Sequence, residues 1–143
     1  MPRIELWMTI FAGLAGALAG VLWGGLVTTP WLARRGGPGA GTSQVETAAR
    51  FLAAAALHAV AGGALGFLFW LGWGLIALVG QPWYVIGVLY GGLCWSASAV
   101  PVLGTLLLRG QAPVAVLVAH ATEWLFTCAA IGLLCALAWH RYA

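Results

Sequence analysis

The sequence predicts an all-α protein: a polytopic membrane four-helix bundle, one transmembrane domain over residues 1–143, built from two tandem two-helix repeats (1–79 and 80–143). Three observations predict it. The composition leaves too little polar material for a water-facing surface, apolar runs alternate with breakers in four segments, and one seven-residue phrase occurs twice.

Hydrophobic residues make up 63% of the 143, charged residues only 6%, and the mean hydropathy is +1.00. A soluble globule of this size carries about a quarter charged residues. The bilayer is therefore the implied partner. Six arginines, three glutamates and no lysine or aspartate leave no basic face for nucleic acid, no aspartate for a dyad or triad, and no polar domain for catalysis. Ser96 in WSASA lacks the glycines of a nucleophile elbow. Cys94, Cys128 and Cys135 form no CxxC pair and lie in apolar runs, where a thiol acts as a small hydrophobe.

The first span is predicted at Leu6–Val27. Arg3 before an apolar run containing Ala17-Leu18-Ala19 suggests a secretory signal, but Glu5 spoils the basic n-region and the run continues to Val27. About 20 helical residues cross a bilayer, so this run reads as a span. A Gly/Pro-rich linker follows at residues 34–43. Ser43 and Glu46 have the spacing of a capping box, so the second helix starts before its membrane span, predicted at Arg50–Val79. Gly80-Gln81-Pro82 makes a tight hairpin into the third span, Trp83–Leu108. The fourth is Pro113–Trp139, with Pro113 placed where a missing amide costs nothing.

Arg34, Arg35, Arg50 and Arg109 fall on one side of this topology, Arg3 and Arg141 on the other. The positive-inside rule then places both termini outside. Trp7, Trp83, Tyr84, Trp139 and Tyr142 are expected in the outer aromatic belt and Trp31 in the inner one.

The repeated phrase is GVLWGGL at 20–26 and GVLYGGL at 87–93. Each copy is followed by a proline (Pro30, Pro101), an Arg-Gly step and a helix with an early histidine (His58, His120). That shared order implies a duplication whose copies are related by a pseudo-two-fold along the membrane normal. Stripes of small residues, Gly16/Gly20/Gly24, Gly62/Gly66 and Gly87/Gly91, permit close helix packing, with the first and third spans expected to cross near the axis. The same stripes would also serve a homo-oligomer.

The ionisable residues inside the spans define the candidate site. His58 and His120 are expected at one depth, about 10–12 Å in at ~1.5 Å per residue, with Glu123 one turn from His120 and Ser98 beside the Pro101 kink. A carboxylate there costs about 2.5–3.5 kcal/mol on insertion scales, so Glu123 must pair or stay protonated, and His58 is the natural partner. Four readings stay open. The cluster is interhelical glue; it takes up a proton or small cation; His58 and His120 are the axial ligands of a haem b, with Gly62 and Gly63 leaving room for the macrocycle; or His58, His120 and Glu123 hold a divalent metal. His140, beside Arg141, reads as solvated.

From Tyr90-Gly91 through Trp95, Pro101-Val102-Leu103-Gly104, Pro113, Ala119-His120 and Gly132, the second half of the chain resembles the YagU-like group of small bacterial inner-membrane proteins. The resemblance implies a multi-pass inner-membrane protein associated with acid tolerance, with His120 as the residue carried over. Residues 96–100, Ser-Ala-Ser-Ala-Val, lack the further polar ring that the group's pattern implies there. The expectation that emerges is a non-enzymatic membrane protein with an intramembrane His/Glu site.

Overall fold

The computed structural model describes residues 6–35, 44–72, 80–110 and 112–142. Everything regular among them is helical. α1 (Leu6–Trp23) runs without a break through a π-helical turn (Gly24–Thr28) into α2 (Thr29–Arg34), followed by α3 (Gln44–Gly72), α4 (Trp83–Leu108) and α5 (Val114–Tyr142). Four stretches are long and apolar enough to cross a membrane: Leu6–Arg34, Ala48–Gly72, Trp83–Leu108 and Val114–Arg141. In lipid the helix is the form that satisfies every backbone amide within one segment.

The first span therefore outruns its expected end at Val27 by passing through Pro30. A proline has no amide to give and crowds the preceding turn, and the wider π turn absorbs both effects. Thr29 closes that turn twice: its amide and its hydroxyl both donate to the Gly24 carbonyl, the hydroxyl at 2.9 Å. The second helix has already begun at Gln44, ahead of its membrane span, as expected. Ser43, the side chain of Glu46 and the expected end at Val79 lie outside the described residues. The third span has its expected limits. In the last, Pro113 stands just outside the helix and its carbonyl accepts from the amides of Val116 and Leu117. Gly80 (φ 92) and Gly110 (φ 64) take the left-handed conformation at the entry to α4 and at its exit, where a side chain would be strained.

Glycine lets the helices meet backbone to backbone. A side chain at Gly13, Gly62 or Gly66 would run into the backbone across the α1/α3 contact. Along α5 the first-span stripe forms an antiparallel ladder, with Gly16 against Ile131, Gly20 against Thr127 and Gly24 against Glu123. On another face of α5, Gly87 and Gly91 of α4 meet Gly132, Leu133 and Cys128. Contrary to the expectation that the first and third spans cross near an axis, their stripes do not face each other; both close on α5, which forms the centre of the bundle.

The buried core lies toward the end away from Arg34, Arg35 and Arg109. Phe69 meets Tyr90 edge-on at 4.9 Å and Trp139 at 6.3 Å, with Ile131 and Cys135 beneath them. The Tyr90 hydroxyl donates to the Leu65 carbonyl at 2.5 Å and links α4 to α3; the Trp95 indole donates to the Ala121 carbonyl at 3.0 Å and links α4 to α5. Trp139 is consequently a core residue and not a belt residue, because its side of α5 is covered by α3 and α4. Trp7 and Tyr84 are exposed, as a belt requires.

Candidate functional site

Three side chains converge about two turns into α5. Its residues 123, 127 and 131 share one side of the helix by the 3.6-residue period, and that side is turned to the first span, with His120 one turn before Glu123. The seat of Glu123 is Gly24, the first residue of the π turn, where even a methyl group would collide with Oε1. Glu123 is 13% exposed.

His58 reaches the same carboxylate from α3. Its Nε2 lies 3.5 Å from Oε1 of Glu123, while Nδ1 of His120 lies 3.6 Å from Oε2. One carboxylate is thus bracketed by two imidazoles, one on each oxygen. The two rings differ in setting. His58 is buried, stacked on Trp124 with centroids 4.9 Å apart and planes 8° from parallel; His120 is half exposed.

The orientation of His58 constrains the hydrogen bonds its ring can make. Its Nδ1 lies 2.8 Å from the carbonyl of Ala54, one turn back in α3. A carbonyl only accepts, so Nδ1 carries hydrogen. In the neutral ring Nε2 then offers a lone pair to Glu123, and Nε2 is a buried atom with no hydrogen-bond partner. A lone pair facing an ionised carboxylate has nothing to bind it. One proton between Nε2 and Oε1 removes the conflict, either as a carboxylic acid donating to His58 or as an imidazolium beside a carboxylate. It also satisfies two groups whose desolvation would otherwise go uncompensated.

Packing closes the cluster on one side. Beyond Glu123, away from the arginine end, Thr127 and Ile131 are completely buried on Gly20 and Gly16, and the Cys135 thiol lies 3.5 Å from the Thr9 carbonyl. His120, half exposed within the fourth span, is the member of the cluster that lies at the surface of the bundle.

Of the four residues expected in this site, His58, His120 and Glu123 come together and Ser98 does not. Ser98 is exposed on the outer face of α4 and donates to the Cys94 carbonyl at 2.6 Å; Ser96 and Pro101 are exposed as well. The reason is rotational: α4 turns Gly87, Tyr90, Gly91 and Ala99 inward, which carries positions 96 and 98 out. The expected equivalence of the histidines holds for their shared carboxylate and fails for their burial. Two contributors escaped the sequence reading. Trp124 stacks on His58, and Gly24, known only as a packing glycine, is the seat of the carboxylate; a proline inside an apolar run, Thr28-Thr29-Pro30, was the available signal for the irregular turn.

The geometry permits proton binding and exchange. Among the described residues, no group of three or more His, Cys, Asp or Glu side chains has the arrangement of a metal site, and all three cysteines are free thiols. No family model, curated protein or solved structure matches the chain.

Proposed function

We propose that the chain is a non-enzymatic integral membrane protein that binds and exchanges a proton at the His58–Glu123–His120 cluster. The observation that carries this reading is the orientation of His58: with Nδ1 2.8 Å from the Ala54 carbonyl, Nε2 faces Oε1 of Glu123 at 3.5 Å, an arrangement that a shared proton would satisfy. His58 and Glu123 hold it, and His120 passes it between the cluster and the arginine end of the bundle. The positive-inside rule makes that end cytoplasmic and puts both termini outside, in the inner membrane of a bacterium. The resemblance to the YagU-like group, with its link to acid tolerance, agrees with a proton-responsive role.

The test is proton movement into proteoliposomes loaded with a pH indicator, comparing the wild type with Glu123→Gln. Movement lost in the variant supports the reading. Equal movement in both, or none in either, reduces the cluster to a structural contact between helices.

The alternative is a haem held by His58 and His120, for which both rings must turn from the carboxylate to iron. It is favoured by one observation, that the two imidazoles approach a common point from different helices. A Soret band in the purified protein, lost in His58→Ala, would put it ahead of the proton reading. The duplication is likewise proposed: α1/α3 and α4/α5 are both closed by glycine-to-backbone contacts, which supports a common two-helix ancestor.

A further inference from the structure

On the outer side of the π turn, next to the cluster but not part of it, the first span and α5 part to leave a groove of about 240 Å³. Trp23, Val27, Thr28 and Trp31 form one wall, Val118 and Thr122 the other, with Ala119 between them. The lining is apolar in effect. The Thr122 hydroxyl is committed to the Ala119 carbonyl at 2.8 Å, and Trp23 is held flat against Phe126 with centroids 4.5 Å apart. The groove is open along the surface of two membrane spans, where its neighbour is a lipid chain. It is too small for a whole drug-sized ligand, which needs a pocket of roughly 300 Å³ or more, yet it has room for a length of hydrocarbon.

Charge decides what kind of lipid. Trp31, which lines the groove, carries the guanidinium of Arg35 over its ring at 4.3 Å, and Arg34 is exposed beside it at the end of α2. The cation-π contact fixes Arg35 above the groove and uses the aromatic face that a cationic ligand would need. Two guanidiniums at the interface favour an anion, and guanidinium is the side chain suited to a phosphate. We propose that this groove is a specific site for an anionic phospholipid, with one acyl chain between Trp23, Trp31 and Val118 and the phosphate on Arg34 and Arg35. The turn imposed by Gly24–Thr28 and Pro30 shapes one wall, so the irregular segment serves the carboxylate on one side and the lipid on the other.

Purified protein in nanodiscs of equal phosphatidylglycerol and phosphatidylcholine, each in turn carrying brominated acyl chains, tests the site through tryptophan quenching. Brominated phosphatidylglycerol should quench the Trp31 emission, defined as the difference between wild type and Trp31→Phe, more strongly than brominated phosphatidylcholine. Each arginine is expected to contribute about fivefold in preference, from ~1 kcal/mol per basic residue at an anionic surface. Arg34→Gln with Arg35→Gln should then erase the preference. Thr122→Phe, which fills the groove from an exposed position, should lower quenching by either lipid while leaving the arginines in place. Equal quenching by both headgroups in the wild type overturns the proposal, as does a preference that survives the double substitution. So does a dimer in native mass spectrometry that excludes lipid. Inorganic phosphate should not compete, since it has no chain for the groove; full competition by it would also overturn the proposal.

Discussion

The carboxylate of Glu123 occupies the space that a side chain on Gly24 would fill: a Cβ built there falls 2.6 Å from Oε1. Gly24→Ala should therefore push Glu123 off its seat and out of line with His58, because a methyl group cannot share that volume. Because the atom met is the free end of a flexible side chain, which can swing aside, the cost should fall at the low end of the about 1–3 kcal/mol typical of overpacking. A fall in the thermal midpoint in detergent, together with loss of proton uptake, is the expected result; a variant indistinguishable from wild type in both would contradict the contact.

Glu123→Gln and Glu123→Ala should part company. Glutamine keeps a donor that its amide can offer to His58 Nε2, so folding stability should stay within about 1 kcal/mol while proton binding is lost. Alanine leaves Nε2 buried and unpaired beside a void, at a cost of about 1–3 kcal/mol for the orphaned acceptor alone. Thermal melts of the two variants side by side check this ordering.

The two histidines should also separate. His58→Ala removes a buried ring, its stack on Trp124 and the partner of a buried carboxylate, and a loss of about 2–4 kcal/mol is expected. His120 is half exposed, so His120→Ala should stay within about 0.5 kcal/mol of wild type yet slow proton exchange. Stopped-flow pH jumps on proteoliposomes read the rate independently of stability. Equal rates in His120→Ala and wild type would remove His120 from the route.

Gly132 and Gly92 make a matched pair outside the site. A side chain on Gly132 would collide with the Gly87 carbonyl, whereas one on Gly92 or Gly104 meets nothing within 4 Å. Gly132→Ala should separate α4 from α5 and destabilise the bundle by about 1–3 kcal/mol. Gly92→Ala and Gly104→Ala should be neutral or stabilising by up to about 1 kcal/mol, since alanine is the better helix former. Urea or detergent-driven unfolding of the three variants would show any departure from that order.

Span positions were legible because in lipid one local property, sustained hydropathy over helix length, nearly determines them. Packing partners were not. The glycine stripes of the first and third spans read as mutual partners because each stripe is visible alone, while the surface that receives both, on α5, is spread over Gly132, Thr127, Ile131 and Cys128 and has no stripe of its own. For the site, Glu123 and His120 were legible from their i,i+3 spacing and His58 from equal depth. Ser98 was misplaced because depth along a helix says nothing about rotation around it. The seat at Gly24 depends on a π turn, and that shifts register in a way the regular 3.6-residue count does not contain.

The ladder of Gly16, Gly20 and Gly24 against Ile131, Thr127 and Glu123 joins the first span to the last. During synthesis the opening helix enters the bilayer long before its counterpart has been translated. Its glycine face must wait, bare to lipid, while the intervening helices insert. Only arrival of the final segment brings the carboxyl group to His58, so the cluster is completed at the end of biogenesis, and a chain cut short after α4 would carry the imidazole without the acid.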